Sequence, residues 1–201
     1  RFLNGGRPLS ERIDALKILA KSKDHTAKKV LLRSVDLYPA TNRFFIEDAR
    51  IQKAVIDELG NNADAEALGI SEKFFWKRKD MSFWPHIADA IGKIAIAYSN
   101  SKVKTRDMHG DVRIASEYAV DLLIEYSRYN SPLATSAIPW LGKIGNEECK
   151  KALLDIIKDA GLPRLFGGDH MNKEAAAKAL ENAKRISHRR IIIEKEKTNG
   201  D

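Results

Sequence analysis

The amino-acid sequence predicts an all-α fold: a right-handed α-solenoid of about four to five stacked antiparallel helix pairs. Three observations lead there. Short segments in which small residues precede Leu or Ile recur about every 40 residues along the chain. Apolar residues around them return at helical spacing. No stretch shows the clean alternation of a half-buried strand. One helix pair cannot bury its apolar face alone, so neighbouring pairs must stack to form a continuous core.

The recurring segments are ALKILAK (Ala15 to Lys21), AVIDELG (Ala54 to Gly60), ADAIGKI (Ala88 to Ile94), AIPWLGKIG (Ala137 to Gly145) and AAAKALE (Ala175 to Glu181). Their anchors are Leu19, Leu59, Ile91, Leu141 and Leu180, spaced by 40, 32, 50 and 39 residues. Each anchor is read as the end of an amphipathic helix, and a second helix usually follows. After Leu19, Asp24 or Thr26 caps a helix whose apolar face is Ala27, Val30, Leu31 and Val35. Between the second and third anchors, ISEKFFWKRK forms a helix capped by Ser71, and SFWPHIADAIG starts the next with Pro85 in its first turn. After Ile91 a polar loop, SNSKVKTRDMHG, leads to a helix in DVRIASEYAVDLLIEYS capped by Asp111. After Leu141, Asn146 caps a helix with Ala152, Leu153, Ile156 and Ile157 on its apolar face, and Gly161 stops it.

The 201 residues are 43% hydrophobic and 31% charged, enough for one domain or one elongated array with a real core. No apolar run approaches the roughly 18 residues that span a bilayer, and Ile191 to Ile193 is far too short. Residues 1–183 are assigned to the array and 184–201 to a basic C-terminal helix or tail. The net charge of +7 suits an acidic protein, a nucleic acid or an anionic membrane, although part of it sits in KRISHRR, Lys184 to Arg190. The single cysteine, Cys149, excludes an internal disulfide and is read as an inert packing or surface thiol. It leans towards a reducing, cytoplasmic setting. The first residue is Arg1 rather than Met, which leaves an exported protein with a removed signal peptide as the open alternative.

Motifs for catalysis are weak. Asp107, His109 and Asp111 could in principle hold a divalent metal, but a capped loop turned at Gly110 is the simpler reading. GGDH (Gly167 to His170) suits a connection with Asp169 as N-cap better than a phosphate loop. The five histidines form no H-x-x-x-H pair, and G-x-S-x-G does not occur. The sequence therefore predicts no enzyme, no metal and no cofactor.

Binding candidates come from two basic stretches. FFWKRKDMSFWPH (Phe74 to His86) places five large aromatics around a basic triplet. Phe74, Phe75 and Phe83 or Trp84 are expected to fill a helix seam, with Trp76 and Lys77 outward and Arg78 and Lys79 beside them. The second stretch supplies Lys184, Arg185, Arg189 and Arg190, on a capping helix or a phosphate-contacting tail. Further basic residues are scattered among positions 102 to 106.

The Ala-x-x-x-Leu-Gly end at Ala137, Leu141 and Gly142, the LGKIG turn, AAAKAL at Ala175 to Leu180 and Pro139 within a first helix resemble the HEAT-repeat (armadillo-like) family in its short bacterial form, over roughly residues 10–185. Armadillo-like arrays and irregular helical bundles are the structural alternatives. The resemblance implies a non-enzymatic protein–protein interaction scaffold or adaptor, with another protein, acidic in character, on a concave helical surface. The alternative is a nucleic-acid-binding helical-repeat protein that uses the basic patches. A third reading is an accessory subunit of a larger enzyme or envelope assembly.

Overall fold

A computed structural model describes residues 6–22, 24–35, 48–77, 80–129, 132–159 and 169–198. Among them the chain is all-α apart from one short hairpin. The elements are α1 (Leu9–Ala20), α2 (His25–Val35), α3 (Ala49–Asn61), α4 (Ala67–Lys77), a 3₁₀ turn (Met81–Phe83), α5 (Trp84–Ala97), β1 (Lys104–Arg106), β2 (Val112–Ile114), α6 (Ala115–Ser127), α7 (Pro132–Ile144), α8 (Glu147–Asp159) and α9 (Asp169–Thr198). No described helix is long and apolar enough to cross a membrane. The chain divides into two compact units, residues 1–119 and 120–201.

In the first unit α3 packs between α1 and α5, and α2 packs on α1, α3 and α4. Local chemistry starts α2, α3 and α5. The Asp24 carboxylate accepts the Thr26 N–H at 3.0 Å at the head of α2, and Asp48 accepts the Arg50 N–H at 3.0 Å at the head of α3. Pro85 lies in the first turn of α5, where its missing N–H costs nothing. The buried faces then follow the 3.6-residue period: Ile51, Val55 and Leu59 on α3, Ile87, Ile91 and Ile94 on α5. At the crossing of α3 and α5, Gly60 lies directly on the Ala90 backbone.

In the second unit α7 packs on α8 and α9, and α8 packs on α9. Asn146 caps α8, its side-chain oxygen accepting the Cys149 N–H at 2.8 Å. Leu141 and Leu153 are fully buried. Pro139 stands inside α7 and faces outward. Residues 184–198 continue α9 as one helix.

Several expectations are corrected. Ile91 and Leu180 lie well inside α5 and α9, so these two anchors are interior core residues, whereas Leu19, Leu59 and Leu141 stand in the last turns of α1, α3 and α7 as expected. Leu19 is only half-buried, and Leu16, one turn earlier, fills that position in α1. Ser71 caps nothing: it is buried inside α4, whose entry is made by the Asp64 carboxylate accepting the Glu66 N–H at 3.1 Å. Asp111 does not start a helix, and the loop after Ile91 is not wholly irregular. Val112–Ile114 pairs antiparallel with Lys104–Arg106, with Thr105 opposite Arg113. Three-residue strands are too short to show alternation. Gly161 and Gly167 to Gly168 lie outside the described residues.

The aromatic seam forms as expected between α4 and the head of α5. Phe74 and Phe83 are buried with ring centroids 5.4 Å apart, and Phe75 meets Trp84 at 6.1 Å. Trp76 turns outward, 43% exposed, with its ring edge-on to Phe75.

Candidate functional site

Helix α4 presents two neighbouring stripes to the first unit, and each has its own task. The stripe that begins in the preceding turn, Ala65, Gly69 and Glu72, seats the hairpin. The Thr105 hydroxyl donates to the Ala65 carbonyl at 2.8 Å. A Cβ on Gly69 would stand 2.6 Å from the Arg106 carbonyl oxygen, so only glycine lets the hairpin backbone settle there. The Glu72 carboxylate accepts the Met108 N–H at 3.0 Å and the Tyr118 hydroxyl from α6. Burial, then the bond to Glu72, push the Tyr118 phenol well above its ordinary range.

The adjacent stripe, Glu66, Ile70 and Lys73, forms the floor of an open cleft of about 600 Å³. One wall is α2, with Lys29, Leu32 and Arg33; the spacing of three and four residues puts them on one helical face. The other wall is the hairpin, with Lys104, Thr105, Arg106, Asp107 and Val112. Lys104 and Arg106 flank buried Thr105, and both are exposed, as strand alternation requires. Five cationic side chains from three elements thus surround a strip of Leu32, Ile70 and Val112, against two carboxylates.

Both the cationic and the acidic groups have local ties. Arg106 donates to the Gly110 carbonyl at 2.8 Å, which closes the hairpin turn. Asp107 accepts the N–H groups of His109 at 2.9 Å and Asp111 at 3.0 Å. Burial works against its charge, but the backbone N–H groups of Asp111, His109 and Gly110 outweigh it and hold the carboxyl below its ordinary value. The Asp107, His109 and Asp111 cluster is therefore a self-bonded turn, and no group of three His, Cys, Asp or Glu able to hold a metal occurs among the described residues.

The described residues among the binding candidates expected from sequence lie elsewhere. Trp76 is exposed near the end of α4; Lys77 ends that helix with its side chain outside the described residues, where Arg78 and Lys79 also fall. Lys184, Arg185 and Arg189 are exposed on α9, and the Arg190 side chain lies outside the described residues. Among the described residues, Trp76, Lys184, Arg185 and Arg189 do not line the cleft. The sequence reading passed over Lys29, Arg33 and Lys73 and treated Lys104 and Arg106 as scattered charges. One signal was present, the Lys29-x-x-x-Arg33 pair on a helix; the hairpin is too short to give a second.

Cys149 is fully buried, and burial together with the nearby Glu148 charge pushes its thiol up to about 12. Such a thiol is a packing group, since the nucleophile is the thiolate. Comparison with protein-family models, with curated proteins and with solved structures returns no match to this chain.

Proposed function

We propose that the protein is a non-enzymatic interaction scaffold of HEAT-like helix pairs, and that its first unit holds an acidic segment of a partner protein in the α2/α4/hairpin cleft. One observation carries the reading: five cationic side chains converge on an open cleft around an apolar strip. Convergent charge attracts and orients an anionic chain, while Leu32, Ile70 and Val112 offer contact to aliphatic side chains between the acids. Among the described residues the lining holds no aromatic ring for stacking a base, which favours a peptide over a nucleic acid there.

The repeat-like character draws support from each unit taken by itself. The glycine after an anchor leucine meets the alanine before the next anchor twice, Gly60 on Ala90 and Gly142 on Ala179. Odd-numbered helices pack on odd-numbered ones in both units. A small-on-small contact recurring at equivalent positions is what stacked repeats need to bring helix axes close.

The test is titration of a fluorescein-labelled oligo-glutamate peptide against a neutral peptide of equal length. The acidic peptide should bind, and more weakly as salt rises. Replacing Arg33 and Lys104 by Ala should weaken binding roughly tenfold, about 1.4 kcal/mol. Equal binding of both peptides overturns the reading. Tighter binding of single-stranded DNA, lost on Trp76→Ala, would favour the nucleic-acid alternative, which rests on the exposed Trp76.

A further inference from the structure

We infer that Glu72 and Tyr118 are positioning residues of the cleft: they seat the hairpin on α4 and so hold Lys104 and Arg106 over its floor. The inference rests on reading the cleft as the site of an acidic segment. The geometry behind it is a stack of three contacts along one helical stripe. Ala65, Gly69 and Glu72 receive Thr105, the Arg106–Asp107 backbone and Met108 in the same order, so strand β1 runs alongside the helix. A hairpin of two three-residue strands has little stability alone, so its place is set by what it docks on. Tyr118 is buried, 1% exposed, and its hydroxyl points at the same Glu72 oxygen that takes the Met108 N–H. The Arg113 guanidinium lies 5.0 Å over the Tyr118 ring and ties the other strand to the same point. Glu72 itself is not among the groups that line the cleft.

This arrangement makes a prediction of opposite sign to simple electrostatics. Removing the Glu72 carboxylate makes the neighbourhood more positive, so a cleft that works by charge alone would bind an acidic peptide more tightly. If Glu72 positions the hairpin, the same change weakens binding. The experiment measures fluorescence anisotropy of the labelled oligo-glutamate peptide with the full chain and its variants, with a thermal melt of each. Glu72→Ala should lose affinity about tenfold, and Glu72→Gln, whose amide oxygen can accept the same two bonds, should recover to within about threefold of the parent. Gly69 itself borders the cleft, and Gly69→Ala, neutral in charge, displaces the Arg106 carbonyl; it should lose affinity as Glu72→Ala does and keeps the test decisive if Glu72→Ala fails to fold. Parent-like or tighter binding by Glu72→Ala or Gly69→Ala overturns the positioning role and leaves the cleft reading standing, as does a Glu72→Gln variant as weak as Glu72→Ala. A parent that does not bind the peptide overturns the cleft reading itself, and the positioning role with it.

Discussion

Gly142 packs so closely on Ala179 that a Cβ added to the glycine would stand 2.8 Å from the alanine Cα and 2.7 Å from its carbonyl oxygen. In an ordinary exposed helix, Gly→Ala gains about 1 kcal/mol of helix propensity. Here the sign should reverse. Gly142→Ala is expected to destabilise the protein by roughly 1–3 kcal/mol, because α7 and α9 must move apart. Urea denaturation measures it, and a gain in stability would show that the close approach is unimportant.

Leu141, next to that glycine, is fully buried. Leu141→Asp puts an unpaired carboxylate into the packing of the second unit. The expected loss is roughly 4 kcal/mol or more, a size reserved for buried charges and large cavities. Thermal melting should show a markedly lower midpoint.

The aromatic seam separates core from surface within three consecutive residues. Phe74→Ala empties a site between Phe83 and the body of the first unit and should cost roughly 3–5 kcal/mol. Trp76→Ala should cost less than Phe74→Ala and stay within about 1 kcal/mol of the parent, since Trp76 is exposed at the rim of the seam and not enclosed in it. Equal melting curves for the two variants would contradict the seam.

Ala63 has φ of +49°, in the left-handed region, at the turn after α3. The Asp64 N–H reaches back to the Leu59 carbonyl at 3.0 Å, the bond of a helix-ending motif that usually carries glycine. Left-handed backbone costs an L-residue roughly 1–2 kcal/mol, and glycine's extra entropy returns about 0.5–1 of that. Ala63→Gly should therefore stabilise by about 0.5–1 kcal/mol, read as a higher urea midpoint.

Burial raises the Cys149 thiol from an ordinary 9.0 to about 12. Between those values the unfolded chain loses the proton and the folded one keeps it. Stability is thus fully present below about pH 9 and falls as pH rises towards 12. The parent should lose stability across that window more steeply than Cys149→Ala, measured by denaturation at each pH. Native Cys149 should also react slowly with a thiol reagent at pH 8 and quickly once unfolded.

What the sequence by itself determined is the helical class and most of the core, because these rest on local physics. The small-residue segments that recur about every 40 residues put four of the five anchors, Leu59, Ile91, Leu141 and Leu180, in the core, and the short-range caps Asp24 and Asn146 act within three residues of themselves. Phe74, Phe75 and Phe83 were placed by the cost of exposing large rings. Tertiary structure decided what local patterns leave open. The glycines after the anchors look like helix stops, but Gly60 and Gly142 are packing surfaces, because a helix 30 or more residues away needs their missing Cβ. The hairpin at Lys104–Arg106 and Val112–Ile114 has too few residues to show a period and exists by docking on α4. The cleft is the clearest case. Lys29, Lys73 and Lys104 are far apart in the chain, and only the packing of α2, α4 and the hairpin turns these scattered charges into one convergent set.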